Sequence, residues 1–227
     1  MPVKFEMHCH TAENDIVSTV SGAQMVEAYR NAGYDGLVIT DHYFSLFFDW
    51  FSSELNGKTH REIIDRYLKG YHKAKDEGDK TGFIVLPGAE VRLDGNCIND
   101  YLLYGLNEQD FYDLPLLNRL GSLEELRRTL PKEAMIIQAH PFRNGMTVIP
   151  PDYLDGVEVC NGLTEPVRNS LANEYASAYK LKKTAGSDVH KIEHTCTAGI
   201  IFENEIKSPA DLTSQLKSGS YKLFGST

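Results

Sequence analysis

Gly36-Leu37-Val38-Ile39-Thr40-Asp41-His42 runs a short apolar stretch, opened by glycine, straight into an acid and an imidazole. A run of this length and composition reads as a buried strand rather than a helix. Just upstream, Ser21 is placed to cap a helix that presents Met25, Tyr29 and Ala32 on one face and stops at Gly33. The same unit recurs along the chain. Further strands are predicted at Val3–His8, Phe83–Leu86, Tyr101–Tyr104, Met135–Ala139, Gly156–Val159, Lys183–Ala185 and Gly199–Phe202. Between them, Thr59-His60-Arg61-Glu62 and Ser122-Leu123-Glu124-Glu125 read as capping boxes. The second helix should end by Pro131, and Ser208-Pro209 should open a last helix. This alternation is that of an α/β domain. Seven or eight strands with helices between them suggest a closed or nearly closed barrel, with its chemistry at the C-terminal strand ends.

No repeat, low-complexity tract or linker divides the 227 residues, so one domain over 1–227 is expected. A chain of this length can bury a full core without disulfides or a structural metal. Cys9, Cys97, Cys160 and Cys196 are scattered, which fits a reduced, cytoplasmic protein. Neither a signal peptide nor an apolar span of about 18 residues is evident, so export and membrane insertion are not expected. The net charge of −9, with no Lys/Arg run, argues against a long nucleic acid as partner. It leaves room for an anionic substrate, because bound metal ions can reverse the field inside a cleft.

The unusual polar residues gather at predicted strand ends. His8-Cys9-His10 closes the first strand, Asp41-His42 follows Thr40, and Glu90 follows Val85-Leu86-Pro87-Gly88-Ala89. His140 follows Met135–Ala139, and Asp188-Val189-His190 follows Thr184–Ser187. Alternate residues of an extended strand face one side, so His8 and His10 can share a metal while Cys9 points away. Asp188 and His190 repeat that spacing. Asp41 and His42 are adjacent, so His42 is assigned as ligand and Asp41 as a partner that orients an imidazole. Each piece alone is common. Five of eight histidines converging with carboxylates is the pattern by which zinc, manganese or iron is held.

Read in order, these segments resemble the PHP superfamily, named for its polymerase and histidinol phosphatase members. The motifs are His8-Cys9-His10-Thr11 with Asp15, Ile39-Thr40-Asp41-His42, Gly88-Ala89-Glu90-Val91, Ala139-His140-Pro141-Phe142-Arg143 and Gly186-Ser187-Asp188-Val189-His190. The resemblance implies a distorted (β/α)7 barrel and two or three divalent ions (Zn, Mn or Fe). By that likeness, His8, His10, Glu90 and Asp188 would hold one ion. Glu90 would bridge to a second, held also by His140, and Asp15, His42 and His190 would hold a third. Asp100, before Tyr101-Leu102-Leu103-Tyr104-Gly105, stands where many members carry a histidine. Asp100 is therefore the expected ligand there, with Asn99 and Cys160 as alternatives.

The activity this implies is hydrolysis of a small phosphorylated metabolite by a metal-bridging hydroxide, with histidinol-phosphatase-like chemistry one case. Paired ions ~3.5–4 Å apart acidify a water and neutralise oxygens at phosphorus. Four ionised carboxylates (Asp15, Glu90, Asp100, Asp188) against three divalent ions would leave the site positive. Arg143, three residues past His140, is the candidate phosphate clamp. Asp41, a metal-bound water or His194 could protonate the leaving group. The aromatic run Tyr43–Phe51 could wall a substrate or simply pack the rim. The competing functions are a nucleotide phosphodiesterase or nuclease, and a non-catalytic metal-binding regulatory domain. Oligomeric state is left open.

Overall fold

The computed structural model describes residues 1–95 and 98–225. Eleven strands lie among the described residues: β1 Val3–Glu6, β2 Gly36–Ile39, β3 His42–Tyr43, β4 Ile84–Pro87, β5 Ala89–Val91, β6 Tyr101–Tyr104, β7 Met135–Gln138, β8 Gly156–Asn161, β9 Lys182–Gly186, β10 Gly199–Phe202 and β11 Tyr221–Phe224. They form two sheets, ordered β11-β10-β1-β2-β4 and β3-β5-β6-β7-β8-β9. Beyond the ends of β1 and β9, a single parallel bridge pairs Cys9 with Val189.

The expected α/β class holds, but ladders that close a (β/α)7 barrel are not seen among the described residues. The strands divide between two sheets, and both sheets are mixed. In the first, β1, β2 and β4 run parallel while β10 and β11 pair antiparallel. In the second, β6 is antiparallel to both β5 and β7. Only nine residues, 92–100, separate β5 from β6, too few for the crossover a parallel neighbour needs. Three strands escaped the sequence reading. β3 has two residues, β5 has three, and β11 is four residues of uneven polarity.

The local signals account for the helices. Ser21 caps Gly22–Asn31 through a capping box with Gln24, and Thr59 caps His60–Tyr67 through one with Glu62. The latter run breaks at Leu68 and resumes as Lys69–Thr81. Ser122 accepts a hydrogen bond from the Glu125 amide, but Glu125 reaches back to Gly121 rather than completing the box. Among the described residues, no helix is long and apolar enough to cross a membrane. Phe5, Met7, Val38, Leu86, Leu102, Tyr104, Ile137 and Ile200, drawn from both sheets and their continuations, share one buried cluster. That cluster fixes the two sheets against each other, and with them the strand ends.

One close approach ties fold to site. A Cβ on Gly186, at the end of β9, would lie 2.4 Å from His8 Cβ and 2.8 Å from His8 N. Only glycine lets the two chain segments meet there. Gly186→Ala should cost about 1–3 kcal/mol, as overpacking typically does. A thermal melt should show Tm lower by several degrees, and an unchanged Tm would contradict this account of the contact.

Candidate metal centre

His8 and His10 stand on the extension of β1, with Cys9 between them turned into the core, where its thiol donates to the Val38 carbonyl at 3.3 Å. Both imidazoles reach the same two carboxylates. His8 Nε2 is 3.4 Å from Glu90 Oε1 and 3.5 Å from Asp188 Oδ1; His10 Nε2 is 3.5 Å from Glu90 Oε2 and 3.3 Å from Asp188 Oδ1. Glu90 also meets His42 Nε2 at 3.0 Å and His140 Nε2 at 3.1 Å. Asp15 Oδ2 lies 3.0 Å from His42 Nδ1 and 3.3 Å from His190 Nε2. Thus four imidazoles surround Glu90, and two of the five flank Asp15.

Electrostatics follow from this crowding. Burial alone would discharge Glu90, but His8 and the other imidazoles hold its carboxyl well below the ordinary range. Asp188 is likewise depressed against burial by His8, His10 and Arg143. Burial opposes protonation of His42, yet Asp15 and Glu90 lift it to about 10. His10, desolvated and beside His42, falls to about 3.

Two departures from extended geometry shape the site. His140 and Asp188 have positive φ angles of 27° and 57°. Asp188 and His190 therefore do not repeat the strand alternation of His8 and His10. Left-handed backbone at a non-glycine residue costs of order 1–3 kcal/mol and persists where neighbours enforce it. Here the His140 amide donates to Glu158 Oε2 at 3.0 Å, and the Asp188 amide to the His8 carbonyl at 2.8 Å.

Other predicted residues fall differently. Asp41 does not orient an imidazole among the described contacts. Its carboxylate accepts from Thr11 N, Thr11 Oγ1 and Asn14 Nδ2, bracing the loop that carries Asp15. Burial pushes its pKa up to about 7 despite those donors. Arg143 Nη2 donates to Asp188 Oδ2, Asn161 Oδ1 and Thr164 Oγ1, so it is built into the centre. Asp100 lies 4.0 Å from His140 Nε2, but Arg92 grips both its oxygens. Asn99 accepts from the Thr147 amide, Cys160 packs with Ala185 and Ala198, and His194 accepts from the His190 amide.

The donor set fits divalent cations. His10/Asp15/His42/His190, His8/His140/Asp188, His8/His10/Glu90 and Glu90/Asp100/His140 each bring ligand atoms within 4.8 Å of one another. More tellingly, His8 Nε2, both nitrogens of His10, Asp15 Oδ2 and His42 Nδ1 are buried without an aligned hydrogen-bond partner. Several lie 3.0–3.5 Å from an oxygen or nitrogen and still make no hydrogen bond. Such atoms are costly to bury unless something else coordinates them.

A family model described as PHP-associated matches residues 166–221. No curated protein matches the chain. Among solved structures, a two-domain protein containing a predicted PHP-like metal-dependent phosphoesterase, from Bacteroides vulgatus ATCC 8482, aligns with a TM-score of 0.73 at 14% identity. The alignment covers 100% of this chain and 65% of that one, so this chain spans less than two thirds of that protein. PsfC from Pseudomonas syringae PB-5123 aligns at 0.68 with 16% identity, covering 99% of this chain and 91% of PsfC. An amidohydrolase from Chromobacterium violaceum aligns at 0.54 with 14% identity, covering 82% of this chain and 87% of that one. At these identities the likeness is one of fold. Together with that fold, the family match supports PHP-superfamily membership.

Sequence reasoning missed Glu158. It lies inside the apolar strand Gly156-Val157-Glu158-Val159-Cys160, and a carboxylate there was the available signal. His8 Nδ1 donates to Glu158 Oε1 at 2.9 Å, which leaves Nε2 as the ligand atom. A register shift between Glu158 and Cys160 lets Asn161 turn back to donate to Glu158 Oε2 and Asp188 Oδ2. Glu6, also missed, accepts from the amides of Met7, His8 and Ser187, tying the ends of β1 and β9 together. Outer partners of this kind are typically worth 10–100-fold in metal affinity. Glu158→Ala should therefore weaken zinc or manganese binding by roughly that factor in a calorimetric titration, and Glu158→Gln by less. Equal affinities in wild type and Glu158→Ala would remove Glu158 from the centre.

Proposed function

We propose that this chain is a divalent-metal-dependent phosphoesterase that hydrolyses a small phosphorylated metabolite. The observation that carries the reading is Glu90, a buried carboxylate reached by four imidazoles, several of whose nitrogens lack an aligned partner. In this reading His8, His10, Asp15, His42, Glu90, His140, Asp188 and His190 supply the donors. Divalent ions held there would contribute Lewis acidity toward a phosphoryl oxygen and toward water.

The chain's own residues define where a substrate can sit. His8, His10, His140, Glu90 and Asp188 are sealed, whereas His42 and His190 are 14% and 17% exposed and the Arg143 side chain 32%. The phosphate therefore approaches from the side of His42, His190 and Arg143. Arg143 keeps one nitrogen on Asp188, and its partly exposed guanidinium offers a permanent cation to a phosphate oxygen. Phe44 packs edge-on against His42, with Trp50 behind it, so an apolar wall borders the same mouth. That wall suits the organic part of a small metabolite, histidinol phosphate being one of several. Asp41 and His194 remain as acids near the centre by sequence, but their hydrogen bonds run to the Thr11–Asn14 loop and the His190 amide.

A small, cytoplasmic substrate also suits the acidic surface, with neither membrane nor long nucleic acid as partner, and the whole of 1–227 acting as one domain. The name of the Chromobacterium violaceum neighbour raises a second reading, hydrolysis of a carbon–nitrogen bond at a similar centre.

Activity on p-nitrophenyl phosphate, on bis-p-nitrophenyl phosphate and on a panel of simple amides separates these readings. The expected result is monoester hydrolysis, abolished by a chelator and restored by zinc, manganese or iron. Glu90→Ala should cost more than the ~10–100-fold typical of outer partners. Full activity in rigorously metal-free protein would overturn the proposal, diester turnover would favour a phosphodiesterase, and amide turnover alone the second reading.

A further inference from the structure

Two carboxylates of the centre carry an arginine, and they carry it differently. Asp188 gives only Oδ2 to Arg143, and its Oδ1 stays turned to His8 and His10 at 3.5 and 3.3 Å. Asp100 gives up both oxygens: Arg92 Nε donates to Oδ1 and Nη2 to Oδ2, each at 2.7 Å. This pairing is built into the sheet. In the antiparallel ladder of β5 and β6, Glu90 faces Leu102 and Val91 faces Tyr101, so Arg92 and Asp100 are the next step of the same register. Glu90 and Arg92, two apart along an extended segment, project to the same side, which aims the guanidinium at the centre.

We infer that Arg92 occupies the position of a third metal ion, so that the chain holds two divalent ions and a fixed guanidinium. The inference rests on the metal-centre reading above. Without Asp100, the Glu90/Asp100/His140 group keeps only Glu90 and His140, and Glu90 is shared with the His8/His10 group. A cation entering there would have to break two charge-assisted hydrogen bonds to a group that does not deprotonate. That weakens its binding by about a hundredfold or more. The His10/Asp15/His42/His190 group carries no such block. Asp15 Oδ1 accepts from the Val17 amide and Oδ2 faces only imidazoles among its described contacts.

The test counts ions. Purified chain is saturated with manganese or zinc, desalted, and its metal content measured by mass spectrometry, with circular dichroism to check folding. Wild type should retain two equivalents, and Asp100→Ala should also retain two, because Asp100 holds Arg92 rather than metal. Arg92→Met, which frees Asp100, should gain a third. Three equivalents in wild type, or a lost equivalent in Asp100→Ala, would overturn the inference while leaving the metal centre standing. A folded Arg92→Met variant that stays at two would remove Arg92 as the excluding group. Fewer than two in wild type would overturn the metal-centre reading itself.

Discussion

The structure depends on keeping a charged Glu90 away from water. A carboxylate taken out of solvent loses several kcal/mol of hydration, and it stays ionised only if charge and hydrogen bonds replace that water. His8, His10, His42 and His140 supply the replacement from three separate segments of the chain. None of these segments can shift alone without exposing a charge. That is why the region tolerates two strained residues, His140 and Asp188, each held by a backbone hydrogen bond within the same network.

The outer layer performs the same task one step further out. Glu158 fixes the tautomer of His8 and the backbone of His140 together, one oxygen each. Glu6 gathers the amides of His8 and Ser187, and burial raises its pKa despite those donors. The close contact at Gly186 belongs to this layer as well, since it sets how near β9 comes to His8. Any metal affinity would thus be coupled to the positions of the β1 and β9 ends through shared residues.

How much of this was legible in the sequence depended on the range of the interaction. His8-Cys9-His10 could be read because a period of two is local, and Cys9 does turn into the core. Ser21 and Thr59 could be read for the same reason, since a capping box spans four residues. The pairing of strands into two mixed sheets could not, because it depends on register between distant segments. Asp100 shows the limit most clearly. In the sequence it is an acid at a ligand position, and only the ladder of β5 and β6 reveals that Arg92 stands opposite it. Asp41 misled in the reverse direction. It adjoins His42, yet its hydrogen bonds brace Thr11 and Asn14, because adjacent side chains on an extended segment face opposite ways.

The placement of arginines then shows how an acidic chain could present positive charge at this centre. Net charge governs long-range behaviour, but inside a cleft with low-dielectric walls the nearest charges dominate. Arg92 and Arg143 stand at opposite carboxylates of one centre, both about one-third exposed, while the acids they pair with are buried. Under the phosphoesterase proposal, a phosphate would meet guanidinium before it met carboxylate. At Asp188, Arg143 joins His8 and His10 in holding the carboxyl well below the ordinary range against burial, whereas at Asp100 burial and the Glu90 charge raise the pKa despite Arg92.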